Sequence, residues 1–159
     1  MARESKVLRR GVTGFFAPEE HRFIPHFAFA EFKSIVFAMA AAHRLKATDL
    51  VEQSTVPNFH SALLKSAAFS TLVLGHSTHP IVAFADPTYQ KDYRLRFVDC
   101  ESIATSLKRM FPQIVIADCS ELSRSLTEND KSLLDKVERD QINYWKPTTV
   151  GEVVFNWWD

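Results

Sequence analysis

The apolar positions of this chain change period twice. From about 27 to 45, Phe32, Ile35, Val36, Met39 and Ala42 recur at three-and-four spacing, which predicts a helix with one buried face. Alanines at 38 and 40–42 suit close packing within it. Residues 1–26 are basic, then aromatic and proline-broken. They predict loop with one short helical turn, Pro18 at its start and Glu19 and Glu20 in its first turn. Beyond the helix, Thr48 can cap a short helix through Gln53 that Val56-Pro57 ends, and Asn58 or Ser61 can start another through Leu63, Leu64 and Ala67.

The period then becomes two. Thr71–Leu74 and Pro80–Ala85 read as strands separated by the polar turn Gly75-His76-Ser77-Thr78-His79. Tyr93–Val98 alternates, with Arg94 and Arg96 on a wet face. Asp99 is placed to cap a helix to about Phe111, with Ile103, Ala104, Leu107 and Met110 buried and Pro112 as the stop. Gln113–Ala117 is apolar without alternation and reads as a central strand. Thr127 and Asp130 form a capping-box pattern that opens a long helix, with Leu133, Leu134, Val137, Gln141, Tyr144 and Trp145 on one face and Pro147 at its end. Val150 onward suits a short helix. A helix-rich first half followed by β-β-β-α-β-α predicts one α+β domain over residues 1–159, with a mixed, mostly antiparallel sheet of about four strands.

Composition narrows the classes. A chain of 159 residues, 46% hydrophobic and 24% charged, suits one globular domain. Only 4 glycines argue against a phosphate-cradling loop. Net charge is zero, which favours neither nucleic acid nor anionic membrane as a partner. Two cysteines, Cys100 and Cys119, make no disulfide framework, and neither a secretory leader nor a membrane-length apolar run is legible. The expectation is a cytoplasmic protein with reduced thiols.

The chemistry-bearing residues are sparse. His76 and His79 could ligate a metal only with a third ligand such as His60, Cys100 or Asp99, so they read as exposed turn histidines and no metal or cofactor is expected. Cys119 follows a strand end and Cys100 adjoins a helix N-terminus, where a thiol pKa is lowered. Either could serve a small cysteine enzyme with a histidine base, yet a small buried thiol is the plainer reading. The Phe-rich first half (Phe15, Phe16, Phe23, Phe27, Phe29, Phe32, Phe37) could line a ligand pocket or stack on single strands with Arg22, Lys33 and the basic arm Arg3, Lys6, Arg9 and Arg10, but it reads as core.

All three tryptophans, Trp145, Trp157 and Trp158, fall in the last sixteen residues. Such an aromatic segment must close the core or form a binding surface. Tyr144-Trp145-Lys146-Pro147 followed by Val150-Gly151-Glu152-Val153-Val154-Phe155-Asn156-Trp157-Trp158-Asp159 resembles an ending seen in small bacterial proteins. Some of these are immunity proteins of polymorphic toxin systems, including contact-dependent growth inhibition. The resemblance covers about a tenth of the chain and carries no site residue with it. It implies a non-enzymatic, cytoplasmic inhibitor whose partner is a cognate toxin domain, a nuclease by expectation. A basic nuclease would meet an acidic face, and the candidates are Asp118, Glu121, Glu128, Asp130, Asp135, Glu138 and Asp140.

Overall fold

The computed structural model describes residues 5–89 and 93–159. Arg3 of the basic arm lies outside them. After a short 3-10 helix (Pro18–Phe23), α1 (Phe29–His43) follows the predicted stripe, burying Phe32, Ile35, Val36, Met39 and Ala40. Ala42 faces outward instead. Arg44 takes a left-handed conformation (φ 54°), and the Leu45 N–H returns to the Ala40 carbonyl at 2.8 Å, turning the chain into the sheet.

Four strands then run as an antiparallel meander: β1 (Lys46–Val51), β2 (Phe59–Lys65), β3 (Ser70–His76) and β4 (Ile81–Ala85). The outer edge of β4 is shared by two short strands. β5 (Phe97–Val98) pairs antiparallel with Phe84–Ala85, and β6 (Val115–Ile116) pairs parallel with Ile81–Val82. Helix α2 (Glu101–Met110) connects them. The protein is therefore α+β with a mixed, mostly antiparallel sheet, but of six strands among the described residues.

The two extra strands, β1 and β2, lie where short helices were expected. Thr48 caps nothing; it pairs with Leu63, and its hydroxyl is buried without a partner. In β2, His60, Ala62 and Leu64 point to the α1 face, a period of two hidden among the helix-forming Ala, Leu and Lys. Pairing with β3 from Phe59↔His76 to Lys65↔Ser70 overrides that propensity. The central strand is β4, not 113–117, for all five residues of β4 are buried while β6 contributes only two, half-buried.

Residues of β4 alternate between two cores. Val82 and Phe84 join α1 and α2 on one face. Ile81, Ala83 and Ala85 join the opposite core, built from Val7, Leu8 and Val12 of the N-terminal loop and from the later helices. Gly75 in β3 permits the close seat of α1, since a Cβ there would lie 2.4 Å from Phe32 Cδ2.

The second half holds α3 (Cys119–Ser123), α4 (Glu128–Ser132), α5 (Lys136–Trp145) and α6 (Val150–Val154). The expected long helix from Thr127 is two helices. Its Thr127–Asp130 capping box is present, but a second box, Asp135 with Glu138, restarts the chain as α5. Asn58 ties distant parts of the chain together. Its amide donates to Val154 O at 3.0 Å and Val12 O at 3.3 Å, its carbonyl oxygen accepts the Asn156 N–H at 2.9 Å, and Asn156 in turn donates to Thr13 O at 3.1 Å.

Candidate functional site

The seven acidic residues expected on one face are mostly engaged in holding the fold. Asp118 caps α3, accepting the Glu121 N–H at 2.7 Å. Glu121 accepts the Ser5 hydroxyl at 2.6 Å and faces Arg124 at 3.3 Å. Asp130 is buried and takes a two-pronged bond from Arg124 at 2.8 and 2.9 Å. Burial alone would raise the Asp130 pKa; Arg124 and Thr127 outweigh it and hold the carboxyl below its ordinary value. The bond to Asp130 likewise raises the Arg124 pKa. Asp135 caps α5 through the Lys136 N–H at 2.7 Å and meets Arg10 at 3.4 Å.

Glu138 is fully buried. It accepts the Gly11 N–H at 2.9 Å, the Thr13 N–H at 3.0 Å and the Thr13 hydroxyl at 2.6 Å, pinning the N-terminal loop to α5. Glu128 and Asp140 point outward, and each pairs with a lysine of its own helix. The 128–140 segment is thus no continuous acidic surface. Asp130 and Glu138 face inward because the capping boxes turn them back onto the chain.

Of the histidine pair, His76 is interior and His79 half-buried. His76 is completely buried: Nε2–H donates to the Val12 carbonyl, and Nδ1 accepts the Thr78 N–H at 3.0 Å. Desolvation lowers its pKa to about 3, and also lowers those of His60 and His79. The exposed-turn reading fails because β3 extends through His76 and draws it under the N-terminal loop. Among the described residues, no group of three or more His, Cys, Asp or Glu is arranged to hold a metal.

Both cysteines are half-buried. Burial pushes the Cys100 thiol above its ordinary pKa, opposite to the lowering expected at a helix N-terminus. Asp99 leaves α2 uncapped and instead accepts the Cys119 N–H at 2.8 Å. The Cys119 thiol donates to Phe97 O at 3.2 Å.

A concave feature lies where α6 and residues 155–158 run beside 93–97. It is a cleft of about 620 Å³, within the usual range for ligand pockets. Thr149 caps α6 through the Glu152 N–H, and Gly151 lets the helix press on Phe97, where a Cβ would lie 2.5 Å from Cε2. Val153, Val154 and Phe155 are buried in the core, so the aromatic segment does close the fold. Trp157 and Trp158, half-buried, turn toward the cleft and line it with Trp145, Tyr89 and Tyr93.

Trp157 rests edge-on against Phe59, with centroids 5.2 Å apart, and meets Tyr93 at 5.9 Å. Trp145 and Trp158 lie parallel at 6.3 Å. Tyr93 is 79% exposed. Among the described residues, three cations share the cleft: Arg94, Arg96 and Lys146. The Arg96 guanidinium sits 4.4 Å over the Tyr89 ring and 4.0 Å from Asp86, while Arg94 stands 3.7 Å from Glu152. Glu152 also accepts the Thr148 N–H at 2.7 Å. Cys119 lines the cleft, but none of the histidines does.

The sequence pattern put Arg94 and Arg96 on a wet face and offered the tryptophans a surface role, but it did not bring the two together. Only the β5–α3–α6 packing does. No protein-family model, no curated protein and no solved structure matches the chain.

Proposed function

We propose that the protein acts by binding, not catalysis, and that it is an immunity protein that neutralises a cognate bacterial toxin domain in the cytoplasm. The observation that carries this reading is the cleft. Trp, Tyr and Arg are the residue types that dominate binding energy at protein interfaces, and here they converge, partly exposed, in one concavity. The resemblance of the 144–159 segment to endings of immunity proteins supplies the biological context, and that same segment forms one wall of the cleft. A protein segment entering the cleft would bury the exposed aromatic surface that the chain itself leaves open.

The cysteine-enzyme alternative needs a thiolate beside a base. Cys119 has its thiol turned to a carbonyl and Cys100 is held in the thiol form by burial. Neither arrangement favours nucleophilic work. The test is co-expression with the product of the gene immediately upstream, with only this chain tagged, scoring complex formation and growth together. A stoichiometric complex that restores growth, and is indifferent to Cys119→Ser, is the expected result. Growth rescue that is lost in Cys119→Ser while the fold survives would overturn the binding reading in favour of chemistry.

A further inference from the structure

Resting on that reading, we infer that the cleft receives an acidic partner segment carrying an aromatic or apolar anchor, so that this chain is the cationic side of the interface. Among the described residues, three lining cations face one lining carboxylate. That carboxylate, Glu152, is already committed to the Thr148 N–H. The side chains of Arg94 and Arg96 are 63% and 61% exposed, and their carboxylate partners stand off at 3.7 and 4.0 Å, outside good hydrogen-bond range. Tyr89 covers a flat face of Arg96, and among the described residues its in-plane N–H groups make no hydrogen bond, the geometry that grips a planar carboxylate. Around them, Tyr93, Trp157 and Trp158 offer ring faces for a flanking side chain.

The backbone distinguishes a carboxylate ligand from a phosphate one. Phosphate sites draw on free N–H groups at helix starts. Here several of those groups are taken: Asp118 holds the Glu121 N–H, Asp99 the Cys119 N–H, Thr149 the Glu152 N–H, and the Arg124 carbonyl the Val150 N–H. The cations that remain are side chains suited to carboxylates, and the ring faces suit an aromatic neighbour.

All three tryptophans line the cleft, so fluorescence excited selectively in tryptophan reports its occupancy without any partner in hand. The probe is a short peptide of one tyrosine flanked by glutamates, titrated against the full chain beside a lysine-flanked counterpart and a set of nucleoside monophosphates. The expected result is saturable quenching by the acidic peptide alone, weakened about tenfold or more by Arg94→Glu and relieved by salt. Tyr93→Ala, at a position 79% exposed, should weaken it as well. Equal response to the acidic and basic peptides, no response to either, or saturable binding of nucleotides overturns the inference. Because this assay uses no toxin, its failure leaves the co-expression result standing, and a failed co-expression leaves the peptide result standing.

Discussion

Replacing Glu138 with Gln changes one oxygen to an NH2 group and little else. Every contact of the native side chain is a donor: the Gly11 and Asp135 N–H groups on Oε1, the Thr13 N–H and hydroxyl on Oε2. An amide satisfies one side only. With its oxygen toward Gly11, its NH2 opposes the Thr13 N–H; the Thr13 hydroxyl can rotate to accept, but the backbone donor is orphaned in a fully buried place. Losing one such bond costs about 1.5–3 kcal/mol, and the surviving bonds lose strength with the charge, on the order of 1 kcal/mol more. The sum, about 2.5–4 kcal/mol, is a large part of the 5–15 kcal/mol typical of a domain. Urea unfolding followed by tryptophan fluorescence should show the midpoint fall without a change in slope. Glu128→Gln, on a side chain 90% exposed, is the control and should stay within about 0.5 kcal/mol. A Glu138→Gln loss no larger than that control would refute the pinning role.

Further outcomes follow from the same contacts. His76 is neutral in the fold down to about pH 3 but takes a proton near its ordinary value of 6.5 when unfolded, so stability is full above 6.5 and falls as pH drops toward 3. The upper bound is about 5 kcal/mol; His76→Gln should flatten urea midpoints between pH 7 and 4, and an unchanged slope would exclude His76 as the source. Gly75→Ala forces Phe32 to move and should cost about 1–3 kcal/mol by thermal melting, whereas an unshifted melting temperature would mean that α1 can lift freely. Deleting Val154–Asp159 removes buried Val154, Phe155 and Asn156, with about 3–5 kcal/mol for the Phe alone, and should abolish the cooperative melt; a retained melt would make the segment purely a surface.

What the sequence revealed depended on whether a segment's own residues decided its structure. Helix α1, the β3–β4 hairpin and the Thr127 capping box were legible because period and cap are local signals. β1 and β2 were not, since Ala, Leu and Lys favour helix and only the neighbouring β3 makes them strands. The acidic residues misled for a related reason. Asp118, Asp130 and Glu138 sit at positions where a carboxylate caps a helix, and spacing alone does not separate a cap from a charge left in water. Of the cleft, the tryptophans and the two arginines were noticed singly; their union spans some sixty positions and is fixed by Phe97 packing on Gly151 and Phe155.

The knot of amides around Asn58 sets a schedule for folding during synthesis. The Asn58–Asn156 bond spans 98 positions and the Asn156–Thr13 bond 143. At a translation rate of about 5–20 residues per second, the pocket around Asn58 waits roughly 5–20 s for its last partners to be made. During that interval Phe59, Val7, Leu8 and Val12 lack Phe155 and Val153, which complete their core. The nascent chain therefore presents a sticky half-built face, the kind of surface that chaperones engage. A variant that weakens the Asn58 ties should be recognised in the cell by longer chaperone residence and lower yield before any loss of binding is measured.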